Sequence, residues 1–164
     1  MVETNKKQER EPREMRLVTE YIAKVYPKYQ TITRARLGGT HPSLLSMDLS
    51  AAEKRMLTVW RRWCDALVFA PRKVILIEAA ILPSAGDISI LKHYGYLFAH
   101  TPDYKEYWNL DLQLELLYAI EDPVVTKLAK ADDIKCSQFY PDWLTPYINN
   151  LYGRKQRAPL TFPV

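Results

Sequence analysis

Residues 74–83, VILIEAAILP, form an apolar run interrupted only by Glu78, and this stretch constrains the chain more than any other. Its length and its valine, isoleucine and leucine content read as a buried β-strand. Side chains alternate along a strand, so Val74, Leu76, Glu78 and Ala80 share one face while Ile75, Ile77 and Ala79 share the other. A carboxylate in such surroundings costs several kcal/mol unless it is paired or bound to a metal. Glu78 therefore calls for a partner, and Ala80 stands on its side of the strand.

The chain around this strand has 164 residues, which suits one domain. An apolar content of 48% argues for a folded globule. No apolar run approaches the roughly 20 residues that span a bilayer, so a soluble protein with no membrane partner is expected. The N-terminus carries no apolar secretory segment, and Cys64 and Cys136 make neither a disulfide framework nor a zinc pattern. A reducing, intracellular setting follows as the expectation. Charge is uneven within the net +4. Lys54, Arg55, Arg61, Arg62, Arg72 and Lys73 face only Glu53 and Asp65 over residues 53–73, whereas residues 101–142 are acidic on balance. A basic surface can hold phosphates, although a solvated face is the plainer reading of any one charged run.

Residues 1–14 are almost wholly polar and read as a flexible charged tail. Residues 15–152 then read as the single domain, and 153–164 as a basic, proline-containing tail. Val18, Tyr21, Ile22 and Val25 at helical spacing predict a first helix from Met15 to the stop at Pro27. YQTITRARLGG suits a strand and a turn, and Ser50 with Glu53 has capping-box spacing ahead of another helical run. CDALVFA, the turn APRK and VILIEAAILP predict an antiparallel hairpin whose register puts Asp65 and Glu78 near the end opposite the turn. A capped helix from Ser84, a strand in DLQLELLYAI, a short helix after Asp122–Pro123, a strand in IKCSQFY and a helix in PDWLTPYINNLY complete the order. This order predicts an α/β fold with a mixed central β-sheet flanked by helices on both faces.

In this order Glu20 lies on the first helix, Asp65 on the first strand of the hairpin and Glu78 on the second. The pattern resembles the PD-(D/E)XK nuclease superfamily over about residues 15–151, most specifically in WCDALVFAPRKVILIEAAILP and the following ISILKHYGYLF. The resemblance implies a restriction-endonuclease-like core in which Asp65 and Glu78 hold a divalent metal. It also places Ala80 where the family has a lysine that steadies the attacking water, and Ile90 where related members have a glutamine one turn before Tyr94. Hard oxygen ligands suit Mg²⁺ or Mn²⁺, so the implied cofactor is a weakly held ion of this kind or none. Lys92, on the following helix, is the candidate for a relocated lysine, with a solvated surface residue as the plain alternative. Lys73 points to the opposite face. Without a metal, Glu78 could pair with an arginine such as Arg36, and Asp65 with Arg61 or Arg62.

Other chemistries find no footing. His41, His93 and His100 have no metal-ligand spacing, neither cysteine is flanked for catalysis, and phosphate-loop, dinucleotide and nucleophile-elbow motifs are absent, which leaves no nucleotide cofactor. Tyr104, Tyr107, Trp108, Tyr140, Trp143 and Tyr147 could stack on bases, with core and rim packing the plainer role. The first functional expectation is a nuclease-fold protein that has lost its lysine and serves a structural or binding role within an assembly of other protein chains. Its layout is similar to small members encoded by tailed phages, which implies a virion component near the head-to-tail junction. The rivals are an active Mg²⁺-dependent DNA endonuclease using Glu20, Asp65, Glu78 and Lys92, and a non-catalytic accessory subunit that binds the DNA backbone.

Overall fold

The computed structural model describes residues 11–39, 48–53 and 62–155. Helix α1 (Glu11–Val25) leads into strand β1 (Gln30–Leu37). Strands β2 (Arg62–Ala70) and β3 (Lys73–Ala80) form the predicted hairpin. Helix α2 (Ala85–Phe98), a 3₁₀ turn (Pro102–Tyr107), β4 (Asp111–Tyr118), α3 (Pro123–Ala131), β5 (Lys135–Gln138) and α4 (Leu144–Lys155) follow. The five strands stand in the order β1-β2-β3-β4-β5. The pairs β1–β2 and β2–β3 are antiparallel, whereas β3–β4 and β4–β5 are parallel and use α2 and α3 as crossovers. The chain therefore has the expected mixed central sheet flanked by helices, an architecture consistent with a restriction-endonuclease-like core.

Alternation on β3 sorts the interior into two cores. Val74 and Leu76 pack with Ile88, Leu91 and Phe98 of α2 and Val125 and Ala129 of α3. Ile75, Ile77 and Ala79 pack on the other face with Leu17, Val18, Tyr21 and Ile22 of α1 and with Leu144 of α4. A strand covered on both faces can be apolar at nearly every position, as this one is. Local signals fix the helix starts. Asp122 accepts hydrogen bonds from Val124 N and Val125 N at 3.0 and 3.2 Å, and Asp87 Oδ2 accepts from Ser84 N at 2.6 Å. Gly95 lets α2 lie close on β4, since a Cβ there would meet Leu114 Cδ2 at 3.1 Å.

Two boundaries differ from the sequence expectation. Helix α1 begins at Glu11, so residues 11–14 are helical, and α4 runs on to Lys155. The rest of both expected tails, and the helical run after Glu53, lie outside the described residues. The Ser50–Glu53 capping box does form, with Ser50 N donating to Glu53 Oε2 at 2.7 Å.

A candidate carboxylate site where two strands part

The β1–β2 ladder keeps one register throughout but skips the pair Arg34 and Asp65. Ile32, Leu67 and Phe69 face the α2 core, and so do Ala35, Leu37 and Cys64. A regular strand cannot point both Ile32 and Ala35 to one side, so β1 turns over between them. Arg34 absorbs the turn with a left-handed backbone, φ 50°. The same inversion on β2 falls between Leu67 and Cys64, around Asp65. Consequently the β2–β3 ladder ends at Ala66–Ile77, and the next β3 amide needs another acceptor. Asp65 supplies it, its Oδ2 accepting from Ala79 N at 2.8 Å.

The side chain of Glu78 sits beside this junction, mostly buried. Its Oε2 is a buried polar atom without a hydrogen-bond partner. Burial, reinforced by the Asp65 charge, pushes its carboxyl up to about 9, although the Asp65 backbone N–H pulls the other way. Asp87 and Glu14 add smaller contributions of the same sign as Asp65. The largest side-chain charges that bear on Glu78 are thus acidic. Tyr94 on α2 stands within reach of the same pair: burial first, then Glu78 and Asp65, push its phenol up to about 12. Cys64 lies fully buried below, its thiol pushed up by burial and by the Glu78 and Asp65 charges.

The remaining residues singled out from the sequence have the following surroundings. Glu20 accepts from Trp143 Nε1 at 2.8 Å and pairs with Arg16 at 2.9 Å; these two contacts lower its carboxyl below the ordinary range. The first-helix acid that acts on Glu78 is Glu14, one of the residues assigned to the tail from composition. Lys92 pairs with Asp132 at 3.2 Å, and Lys73 donates to Gln113 at 2.8 Å. Ala80 is buried and Ile90 is exposed. The guanidinium of Arg36 lies over the ring of Trp63 rather than against Glu78. Most of the singled-out aromatics pack: Tyr104 is buried against Phe98, Tyr107 lies on Phe69, and Trp108 Nε1 donates to Phe98 O.

A second carboxylate has no counterpart in the sequence reading. Glu115 on β4 is fully buried on the α1 face, and it is fully partnered. Tyr21 and Ser137 donate to Oε1, Tyr26 donates to Oε2 at 2.8 Å, and Lys135 Nζ stands 3.5 Å from Oε2. Burial and the adjoining carboxylate raise both phenols well above the ordinary tyrosine range. The available signal was the break in β4 alternation, where Glu115 falls on the face of Leu117 and Ala119.

Comparison with known proteins adds a fold-level likeness alone. No family model and no curated protein matches the chain. Among solved structures it is similar to a repair endonuclease from Pyrococcus abyssi, with 11% identity and a TM-score of 0.48 over 77% of this chain and 46% of that one. It is also similar to AF1548, a protein of unknown function, with 11% identity and a TM-score of 0.48 over 78% of this chain and 60% of that one. The chain thus spans about half the length of the structures it matches.

As a metal site, the residues fit only a sparse set. Asp65 and Glu78 offer hard oxygen donors, and the partnerless Oε2 is the kind of atom that a cation or a proton would satisfy. Among the described residues, however, no group of three or more His, Cys, Asp and Glu side chains converges to hold an ion. Two carboxylates side by side can share a proton or bind a divalent ion weakly. The residue two positions after Glu78 is Ala80, which carries no charge.

Proposed function

We propose that the chain is a binding or structural protein built on a nuclease-like fold, in which hydrolysis has been given up. One observation supports this reading: on the Glu78 face, at the position where the resemblance expects a lysine that steadies water, stands the buried methyl of Ala80. The two lysines nearest in sequence, Lys73 and Lys92, are held by Gln113 and Asp132. The resemblance seen in the sequence supplies the concrete setting, a component of a tailed-phage particle near the head-to-tail junction that contacts other protein chains. The test is incubation of the purified protein with linear, branched and single-stranded DNA in Mg²⁺ or Mn²⁺. No turnover is expected, and cleavage that disappears in Glu78→Ala would overturn the reading.

The partnerless Oε2 of Glu78 favours a second reading, an active metal-dependent endonuclease. A divalent ion held there would supply Lewis-acid activation of water and of a phosphodiester. Asp65 and Glu78 would hold it, with Asp65 kept in place by the Ala79 amide. Calorimetry with Mn²⁺ separates the two: this second reading requires a site that Asp65→Asn abolishes together with cleavage.

A further inference from the structure

Two surfaces of opposite charge stand at opposite ends of β2. The first is basic. Arg36 and Trp63 are cross-strand partners at the start of the strand, on the sheet face opposite Ala35, Leu37 and Cys64. The guanidinium of Arg36 lies 4.4 Å from the centre of the Trp63 ring, and that of Arg34 lies 5.6 Å from it. Both arginines are exposed, and neither forms an ion pair with an acid among the described residues. A guanidinium lying on an indole keeps its N–H edge open to a carboxylate and has little side-chain freedom left to lose on meeting one. The second surface is acidic. Residues 101–111 carry Asp103, Glu106 and Asp111 against Lys105 alone, and all four are exposed. Trp108, 40% exposed, stands in the same segment, its ring fixed by the Nε1 hydrogen bond to Phe98 O at 3.0 Å. This segment lies at the far end of β2, where Tyr107 packs on Phe69 and Asp111 N donates to Arg72 O at 3.4 Å. The strand from Trp63 to Phe69 spans about 20 Å. Tyr107 packs on the α2 core, whereas Trp63 faces away from it, so the two surfaces also lie on opposite sides of the sheet. One molecule cannot bring its own two surfaces together.

From this arrangement we infer that copies of the chain associate end to end, the Arg34 and Arg36 guanidiniums of one copy meeting the Glu106 and Asp111 carboxylates of the next. The charges are complementary, and planar guanidiniums suit carboxylates in pairs. Each surface also holds an exposed tryptophan beside its charges, and tryptophan and arginine are the residues that most often carry the binding energy of a protein contact. Unlike surfaces meet here, so the contact is heterologous. It repeats from copy to copy and builds open chains or closed rings rather than a two-fold dimer. The inference rests on the binding or structural reading above and names one of its partner chains, a second copy of this one.

The test is sedimentation velocity of the full chain at rising concentration, in low and in high salt, without DNA or metal. Contacts of this extent bury less than about 1,200 Å² and are weak. Association should therefore appear at high micromolar concentration, pass beyond a dimer and fade as salt rises. Arg34→Gln/Arg36→Gln and Glu106→Gln/Asp111→Asn should each lose about tenfold or more in association. An equimolar mixture of these two variants should form pairs that grow no further, since each retains one intact surface. Reversing both surfaces in one chain, Arg34→Glu/Arg36→Glu/Glu106→Lys/Asp111→Lys, should restore association. Lys127→Gln, on the exposed side of α3, should behave as wild type. Circular dichroism shows whether each variant is folded, and if one neutralised pair fails to fold the other decides. A wild type that stays monomeric in low salt, one that stops at a dimer, or neutralised pairs that associate as well as wild type would overturn the inference. So would association that strengthens with salt, which would mark an apolar contact elsewhere. A monomeric wild type that also fails to cleave DNA would sink this inference alone, and cleavage would remove the non-catalytic reading whatever the masses show.

Discussion

A carboxyl pushed up to about 9 in the folded chain, from its ordinary 4.5 when unfolded, takes up a proton on folding across the neutral range. The native state then binds more protons than the unfolded one, so the contribution of Glu78 is fully present below about pH 4.5 and is lost as pH rises to about 9. The slope has an upper bound of roughly 1.4 kcal/mol per pH unit. Glu78→Gln removes the titration, so its stability relative to wild type should grow between about pH 5 and about pH 8, as read from urea midpoints. A difference that stays constant would show that Glu78 is not held protonated. Ala80→Lys tests the same face from the other side. Its ammonium would meet Glu78 and Asp65, so the fold should hold to within about 2 kcal/mol at neutral pH, and the pH dependence should flatten as Glu78 ionises. Unfolding of this variant, as for a lysine trapped among apolar groups, would place Ala80 on the wrong face.

At the scale of elements, α1 is attached to the sheet in two ways. Leu17, Val18, Tyr21 and Ile22 pack apolar surface onto β2 and β3, while Tyr21 and Tyr26 reach Glu115 on β4. The outer side of α1 meets the C-terminal segment through stacked cations, Arg13 on Tyr147, Arg16 on Trp143 and Lys24 on Phe139. Of these contacts the Glu115 hub matters most, because removing its carboxylate strands two phenols and a serine hydroxyl in a dry interior. Glu115→Ala should cost about 3 kcal/mol or more, and amide exchange should accelerate first in α1. Exchange that accelerates uniformly, or a loss under about 1 kcal/mol, would make the hub incidental. The helix starts at Ser84 and Asp122 were legible from capping residues, because caps act within one turn. The Glu115 hub was not, since its donors come from positions 94, 89 and 22 residues away in the chain.

For the molecule as a whole, one sheet divides two cores, and β3 contributes to both with alternate residues. Neither core can therefore loosen while the sheet remains intact. Leu17→Ala in one core and Leu91→Ala in the other should each cost roughly 3 kcal/mol, and each should shift a single unfolding transition. Far-UV circular dichroism and tryptophan fluorescence should follow one curve in both variants. Two separated transitions in either variant would mean that the faces fold independently.

The sequence alone determined the element order, the mixed sheet, the hairpin register and the peculiarity of Glu78 on the same face as Ala80. Each of these follows from periodicity, capping and turn residues that act over a few positions. Tertiary structure decided which acids act on one another. Glu20, chosen by its place on the first helix, faces Trp143, whereas Glu14, read as part of a tail, bears on Glu78. Their different surroundings depend on how α1 is rotated and how far it extends beyond the sheet, which packing fixes and local spacing does not. The inversion at Arg34 and Asp65 was likewise invisible to simple alternation. Two strands turn over together only where the ladder between them loses a pair, and that is a property of the sheet rather than of either segment.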